Sequence, residues 1–506
     1  MPGKSKSEYF GDIHRAQWKT KTGFILAAIG SAVGLGNIWR FSYLCYDKGG
    51  GAFLIPYFIA LIVVGIPLMI LEFGLGHREK GSAPKSFYKL SPKWEWLGWW
   101  AVIFVMFGIV MYYSVIISWC FNYLFYSVNL SWGADPNSFF FKEFLGISSG
   151  PGSFGGIRPS ILFGLIVIWF FNWIIVFFGV EKGIERATKI LMPLLMVLTI
   201  ILVIWSVNLP GAGKGIAKYL RPDFSLLKDP GVWIAAFSQI FFTLSLGFGI
   251  MIAYASYLPR KTDITGSAYI ASVGNCIYSL FAGFAVWGTL GYMATTRNVP
   301  IEEVVEESIG LAFVAYPKAI SLIPSFSGVF GVVFFSILVF AGLSSSISII
   351  EAFTSSVLDK FHYSRKQVVS VLCFLGFMGS IIFTTGAGLY WLDIVDHFIT
   401  SYGLVIVGIL ECLVIGWYLK AEKMREHINA VSPVKVGKWW DFSVKIMTPV
   451  VLGIILISSL FEELSRPYGG YPVTFLILIG RDWLFATIIA AIIISRYKWR
   501  KRTSAS

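Results

Sequence analysis

The stretch GSAVGLGNIWRF, residues 30–41, places Gly30, Gly34, Gly36, Asn37 and Arg40 inside the first long apolar run of the chain. Glycine and asparagine are weak helix formers, and a charge within an apolar run is costly unless paired or facing water. The chemistry such a stretch offers is that of a broken helix. Amide N–H groups released at the break can hold an anion, and released carbonyls can hold a cation. A second apolar run, SQIFFTLSLGFGIMIAYASY at 238–257, is interrupted in the same way by Thr243, Ser245, Gly247 and Gly249. One glycine-rich helix reads more readily as a close-packing surface. Two interruptions one repeat apart, each beside polar side chains, point to backbone given over to ligands.

The elements that must carry these breaks follow from composition. Of 506 residues, 56% are hydrophobic and 14% charged, with a mean hydropathy of +0.72. Soluble domains carry about 25% charged residues, so the chain is expected in a bilayer. Apolar runs of membrane-crossing length recur along it, about twelve in all, centred near residues 34, 63, 112, 170, 197, 245, 280, 340, 375, 408, 454 and 484. The fold class is therefore an all-α polytopic membrane protein. Short alternating segments, the sign of a β-barrel, do not occur. With the first and sixth helices broken, the order is that of a 5+5 inverted repeat. A cytoplasmic segment at 1–22 precedes repeats at 23–210 and 211–420, two further helices at 421–495 and a basic tail at 496–506.

The net charge of +13 fits a cytoplasmic placement of both basic termini, as the positive-inside rule requires, better than a nucleic-acid surface. No nucleic-acid partner is expected. The basic start runs into a full-length apolar span without a small-residue cleavage site, so no cleavable signal is expected. Cys45, Cys120, Cys276, Cys373 and Cys412 lie in or beside apolar runs without metal-ligand spacing or a disulfide framework. Asn129-Leu130-Ser131 is a formal glycosylation triplet of a kind common by chance.

The segments GSAVGLGNIWRFSYLCYDKGGGAFLIPYFIALIVVGIPLMILE and DPGVWIAAFSQIFFTLSLGFGIMIAYASY closely resemble the neurotransmitter:sodium symporter family, its bacterial amino-acid transporters in particular. The likeness runs from HRAQW, which includes Arg15, to AEKMREHIN after the tenth span. It implies a sodium-coupled symporter working by alternating access, with a small-molecule substrate held in a lipid-embedded bundle. The substrate site implied comprises the amides of Leu35 and Gly36 and the hydroxyl of Tyr113 for a carboxylate. Carbonyls of Ala32, Phe242 and Thr243, with Ser245 nearby, are implied for an ammonium. Ile109, Phe242, Phe248 and Ile349 would line an apolar side-chain pocket with Ser245 and Ser346 at its margin. Tyr113 taken alone is equally well a packed aromatic. Monoamine carriers of the family have aspartate where this chain has Gly34, so the substrate is expected to bring its own acid group. A neutral, hydrophobic α-amino acid fits. Ile109 stands where a leucine-carrying bacterial member has the smaller valine.

Two sodium ions are implied. The first site comprises Ala32, Asn37, Thr243 and Asn275; the second comprises Gly30, Val33, Ala341, Ser344 and Ser345. Hard cations want such oxygen ligands, although serines in a membrane helix also serve helix–helix hydrogen bonding. At Ser279 a chloride-independent bacterial member has glutamate, and chloride-dependent animal members have serine. Together with Tyr57, Gln239, Thr243 and Asn275, Ser279 forms a neutral donor set for chloride. Charge balance around two cations in a low-dielectric interior favours an anion there. The resemblance pairs Arg40 with Asp396 as an outer gate and Arg15 with Asp359 at the cytoplasmic mouth. Phe242 and Tyr113 would form a lid. Glu72 and Glu411 are expected to cap freed amides or hydroxyls.

Alternatives remain. The same fold could carry a betaine or an ω-amino acid such as GABA, and an ion channel or receptor would lack stoichiometric coupling. An enzyme is disfavoured, since no HExxH, P-loop or nucleophile–base arrangement occurs. His14, His77 and His397 lie near ends and loops. The short outer loop between the third and fourth spans points to a prokaryotic plasma membrane. Monomer and dimer are equally compatible with the sequence.

Overall fold

The computed structural model describes residues 16–306 and 308–499; Arg15 and both basic tails lie outside them. The described residues are helical, with no strand and one isolated antiparallel bridge between Ile157 and Thr385. The first apolar run is two helices, α1 (Lys21–Ala32) and α2 (Leu35–Asp47), bent by 70° at a short break. Then follow α3 (Gly50–Glu79), α4 (Pro92–Asn129), α5 (Pro159–Phe177) and α6 (Val180–Val207). The sixth run is again divided, into α7 (Pro230–Thr243) and α8 (Ile250–Ser256). The remaining long helices are α9 (Ile264–Arg297), α10 (Ser327–Phe361), α11 (Arg365–Thr384), α12 (Gly388–Tyr418), α13 (Lys438–Gly470) and α14 (Val473–Arg496).

Ten of these helices are long and apolar enough to cross a bilayer, or eleven when α1 and α2 count as one span. This differs from the twelve runs counted in the sequence. The reason is the sixth run, whose halves α7 and α8 are 14 and 7 residues long. Each is well short of the ~20 residues a bilayer requires, so neither half counts alone.

Burial sorts the helices by role. α4 and α10 are the most enclosed, and α13 and α14 lie at the periphery. Ile190, Phe163, Ile277 and Leu464 stand exposed on the outside of the bundle, the arrangement expected where lipid replaces water as solvent. Both ends of the described chain meet at one end of the bundle. There the Trp18 indole donates to Tyr254 O (2.8 Å), and the Trp499 indole donates to Glu95 Oε2 (3.0 Å). All five cysteines are free and buried.

Candidate functional site

The two breaks face each other inside the bundle. In an unbroken helix the carbonyls of Gly30 and Ser31 would accept from the amides of Gly34 and Leu35. Here the Gly34 amide donates to Asn37 Oδ1 (2.8 Å), and the Leu35 amide donates to the Tyr113 hydroxyl (3.2 Å). Both carbonyls are thereby released. Between α7 and α8 the chain turns through positive φ at Ser245 (54°), Gly247 (77°) and Gly249 (68°). The left-handed region suits glycine but strains serine, and Ser245 is held there by a bond from its Oγ to Ser31 O (3.0 Å). The freed Gly247 amide donates to Glu72 Oε1 on α3 (2.8 Å). The two breaks are therefore joined to each other through Ser245, the first held also by Tyr113 of α4 and the second by Glu72 of α3.

Around Ser345 Oγ lie four carbonyl oxygens: Ser31 at 3.1 Å, Ala341 at 3.3 Å, Gly30 at 3.4 Å and Val33 at 3.5 Å. A hydroxyl has one proton to donate, so acceptors outnumber donors. The neighbouring Ser344 Oγ already donates to Ala341 O (2.9 Å). This surplus of hard oxygens suits a small cation. The Ser345 cluster fits the second ion set, Gly30, Val33, Ala341, Ser344 and Ser345.

A second polar cluster joins α2, α7 and α9. Asn37 Nδ2 donates to Asn275 Oδ1 and to Ser279 Oγ, both at 2.8 Å. Asn275 Nδ2 reaches Thr243 Oγ1 at 3.2 Å. Among the described residues, the buried Tyr57 hydroxyl and both polar side-chain atoms of Gln239 lack a hydrogen-bond partner. Unsatisfied polar groups in a low-dielectric interior are expensive, and neutral O–H and N–H donors are what an anion would take. These donors therefore fit a chloride ion.

Ala32, Ile109, Phe248 and Ile349 are buried, and Phe242 is half-buried, meeting Phe248 edge-on at 6.1 Å between ring centroids. Ser346, expected at the pocket margin, donates instead to Asn172 Oδ1 of α5 (2.6 Å). It belongs to the α10–α5 contact because its side chain leaves α10 on that face. A Cβ at Gly34 would lie 2.9 Å from the Tyr113 hydroxyl and 3.2 Å from Ser345 Oγ. Any side chain there would enter the space between the amide and carbonyl clusters.

One expected charged pair is not formed. Arg40 and Asp396 form no ion pair in this conformation. The Arg40 guanidinium stands 5.2 Å over the Phe242 ring, while Asp396 Oδ1 accepts from the Tyr112 hydroxyl. Arg40, Phe242, Thr400 and Ser401 line a cavity of ≈ 100 Å³. At the other end Asp359 accepts from the Ser82 amide (2.8 Å), with Lys85 Nζ 3.6 Å away; its expected partner Arg15 lies outside the described residues. That end is packed shut. Trp18 N donates to Tyr257 O (3.2 Å), Tyr257 OH to Glu351 Oε1 (2.7 Å), and Arg365 Nη1 to the same oxygen (3.2 Å).

Ser31 and Tyr112 escaped the sequence reading. A serine just before the first break and a second tyrosine beside Tyr113 were available signals, but neither residue type specifies a partner.

A helical bundle opened at two facing backbone breaks is the architecture of a secondary transporter. The model of the Sodium:neurotransmitter symporter family matches residues 15–139 and 133–502; the chain belongs to that family and is a sodium-dependent, multi-pass membrane transporter. It is 49% identical over 486 residues to an uncharacterized sodium-dependent transporter of Methanocaldococcus jannaschii, covering 96% of this chain and 98% of that one. It is 31% identical to the human sodium- and chloride-dependent taurine transporter (93% and 82% covered). It is 32% identical to the sodium-dependent dopamine transporter of Caenorhabditis elegans (91% and 83%). Among solved structures, that of MhsT in complex with L-phenylalanine superposes with a TM-score of 0.75 at 34% identity, covering 88% of this chain and 100% of that one.

Proposed function

We propose that this chain is a sodium-coupled symporter of neutral, hydrophobic α-amino acids that depends on chloride or is strongly stimulated by it, and works by alternating access. The observation that carries the reading is the excess of carbonyl oxygens around Ser345, set beside the Leu35 amide and the Tyr113 hydroxyl. Cation and carboxylate sites adjoin there, and the carboxylate shared with the first sodium ion makes substrate and that ion raise each other's affinity. The substrate carboxylate lies on the amides of Leu35 and Gly36 with Tyr113. Its ammonium meets the carbonyls of Ala32, Phe242 and Thr243, and its side chain lies among Ile109, Phe242, Phe248 and Ile349. One sodium ion takes Ala32, Asn37, Thr243, Asn275 and the substrate carboxylate. The other takes Gly30, Val33, Ala341, Ser344 and Ser345. Gly34 favours a substrate with its own acid group over an amine, and the L-phenylalanine complex of the structural neighbour supports an amino acid with an apolar side chain.

Tyr57, Gln239, Thr243, Asn275 and Ser279 hold chloride, whose negative charge offsets the two cations. Unpartnered donors at Tyr57 and Gln239 support this, as does the likeness to the human sodium- and chloride-dependent taurine transporter. The end of the bundle bearing Trp18 and Trp499 is cytoplasmic, in line with the positive-inside rule, in the plasma membrane of a prokaryotic cell. Arg40 and Asp396 then belong to the outer path. The taurine relatives keep a second reading in view, a zwitterion other than an α-amino acid.

Proteoliposomes given an inward sodium gradient are expected to concentrate amino acids with apolar side chains, and to lose that uptake when gluconate replaces chloride. Absence of concentrative uptake under any sodium gradient would sink the reading. Equal uptake in gluconate would remove its chloride part.

A further inference from the structure

Asp396 is a carboxylate within the membrane-crossing helix α12, and such a group needs a hydrogen-bond or charge partner. The expected partner, Arg40, is not engaged: its guanidinium rests on the Phe242 face at 5.2 Å. The hydroxyl of Tyr112 donates to Asp396 Oδ1 instead. Tyr112 is itself buried on α4, so its ring has little freedom to follow Asp396 elsewhere. The next residue, Tyr113, holds the Leu35 amide at the first break (3.2 Å). Adjacent tyrosines of one helix thus hold the substrate break and the gate carboxylate.

The strongest arginine–carboxylate geometry is bidentate and uses both carboxylate oxygens. A carboxylate oxygen can accept two bonds, but the bond from Tyr112 holds Oδ1 toward α4, and a full bidentate pair with Arg40 must compete with it. We propose that Tyr112 is a positioning residue of the outer gate: its hydroxyl holds Asp396 in reserve while the outer path is open, and closure exchanges the Tyr112–Asp396 bond for the Arg40–Asp396 pair. The exchange narrows the free-energy gap between open and closed forms, because neither leaves the carboxylate without a partner. The proposal rests on the symporter reading for its direction, since it takes the Arg40 end as the outside.

The test uses the full chain with a reporter cysteine, Ser401→Cys, on the wall of the cavity that Arg40 lines. The five native cysteines are buried, so background labelling by a membrane-impermeant thiol reagent is low. In sodium without amino acid, Tyr112→Phe is expected to slow labelling about tenfold or more, the effect of losing a hydrogen bond to a charged group. In an Arg40→Ala background the same substitution is expected to change nothing, because no competitor for Asp396 remains. Unchanged labelling in the first background, or equal slowing in both, overturns the proposal; equal slowing means Tyr112 serves packing alone. If Tyr112→Phe fails to fold, Asp396→Asn is used. It keeps an acceptor for Tyr112 while weakening attraction to Arg40, so labelling is expected to match or exceed the parent rate. Slowing there overturns the proposal. Protection of the parent Ser401→Cys protein by sodium plus an amino acid tests the symporter reading separately. Its absence, with the Tyr112 effects intact, removes the substrate assignment and leaves the gate exchange standing.

Discussion

Tyr113 shows how much a single hydroxyl can carry. It accepts from the Leu35 amide at 3.2 Å, and its proton remains available for a substrate carboxylate. Tyr113→Phe keeps the ring and removes both functions, leaving a polar amide without its partner. Losing one such bond costs about 1–2 kcal/mol, so amino-acid affinity is expected to fall roughly tenfold or more. Scintillation-proximity binding in saturating sodium measures it, and unchanged affinity would remove Tyr113 from the site. Gly34 acts by absence. A Cβ there would lie 2.9 Å from the same hydroxyl, in the space the proposed substrate needs.

Among elements, the breaks and the packed end of the bundle divide the labour. The α1–α2 and α7–α8 breaks stand because Glu72, Ser245 and Tyr113 supply what the helices gave up. At the packed end, Lys360 of α10 is fully buried and ion-paired to Glu95 of α4, and it also donates to Ile494 O of α14 (2.7 Å). Removing one partner of a buried pair strands the other, at about 3–5 kcal/mol. Lys360→Met is therefore expected to lower the melting temperature sharply, whereas a melting temperature equal to the parent's would mean that Glu95 finds another partner. The helix Ala421–Val431 is joined to α3 by a 3.0 Å bond between His427 Nε2 and His77 Nδ1. His77 Nε2 faces Pro259 O (2.9 Å) and so carries a proton, which makes His427 the donor to His77. Burial, then the charges of Arg78 and Lys80, hold His427 below the usual histidine value of 6.5. The unfolded chain thus binds a proton that the folded one refuses. Stability is full above about 6.5 and declines as pH falls below it. Melting curves at successive pH values should show that decline flattened in His427→Gln, and an identical slope in both proteins would exclude His427 as its source.

For the whole molecule, one end is packed shut by Trp18, Tyr257 and Glu351, while at the other Arg40 and Asp396 are apart. Such asymmetry is what alternating access requires of one of its states. If sodium and amino acid share a ligand, their stabilising effects are coupled rather than additive. A ligand at 100 times its Kd contributes about 2.7 kcal/mol to stability. The shift in melting temperature with both present is expected to exceed the sum of the separate shifts. Additive shifts would mean independent sites.

Local sequence determined that this chain is a bundle of apolar helices and that two of them are interrupted, because hydropathy and helix propensity are properties of neighbouring residues. It also supplied the residue types at the breaks. Partnership lay beyond it. Asn37 and Asn275 are 238 positions apart, and Tyr112 and Asp396 are 284 apart. Which carboxylate meets which donor depends on how helices rotate and slide when they pack. That rotation turned Ser346 toward Asn172, brought Glu72 to the Gly247 amide and left Asp396 with Tyr112 rather than Arg40. Only the tertiary structure decides such pairings, since side chains on a helix point where the whole bundle sets them.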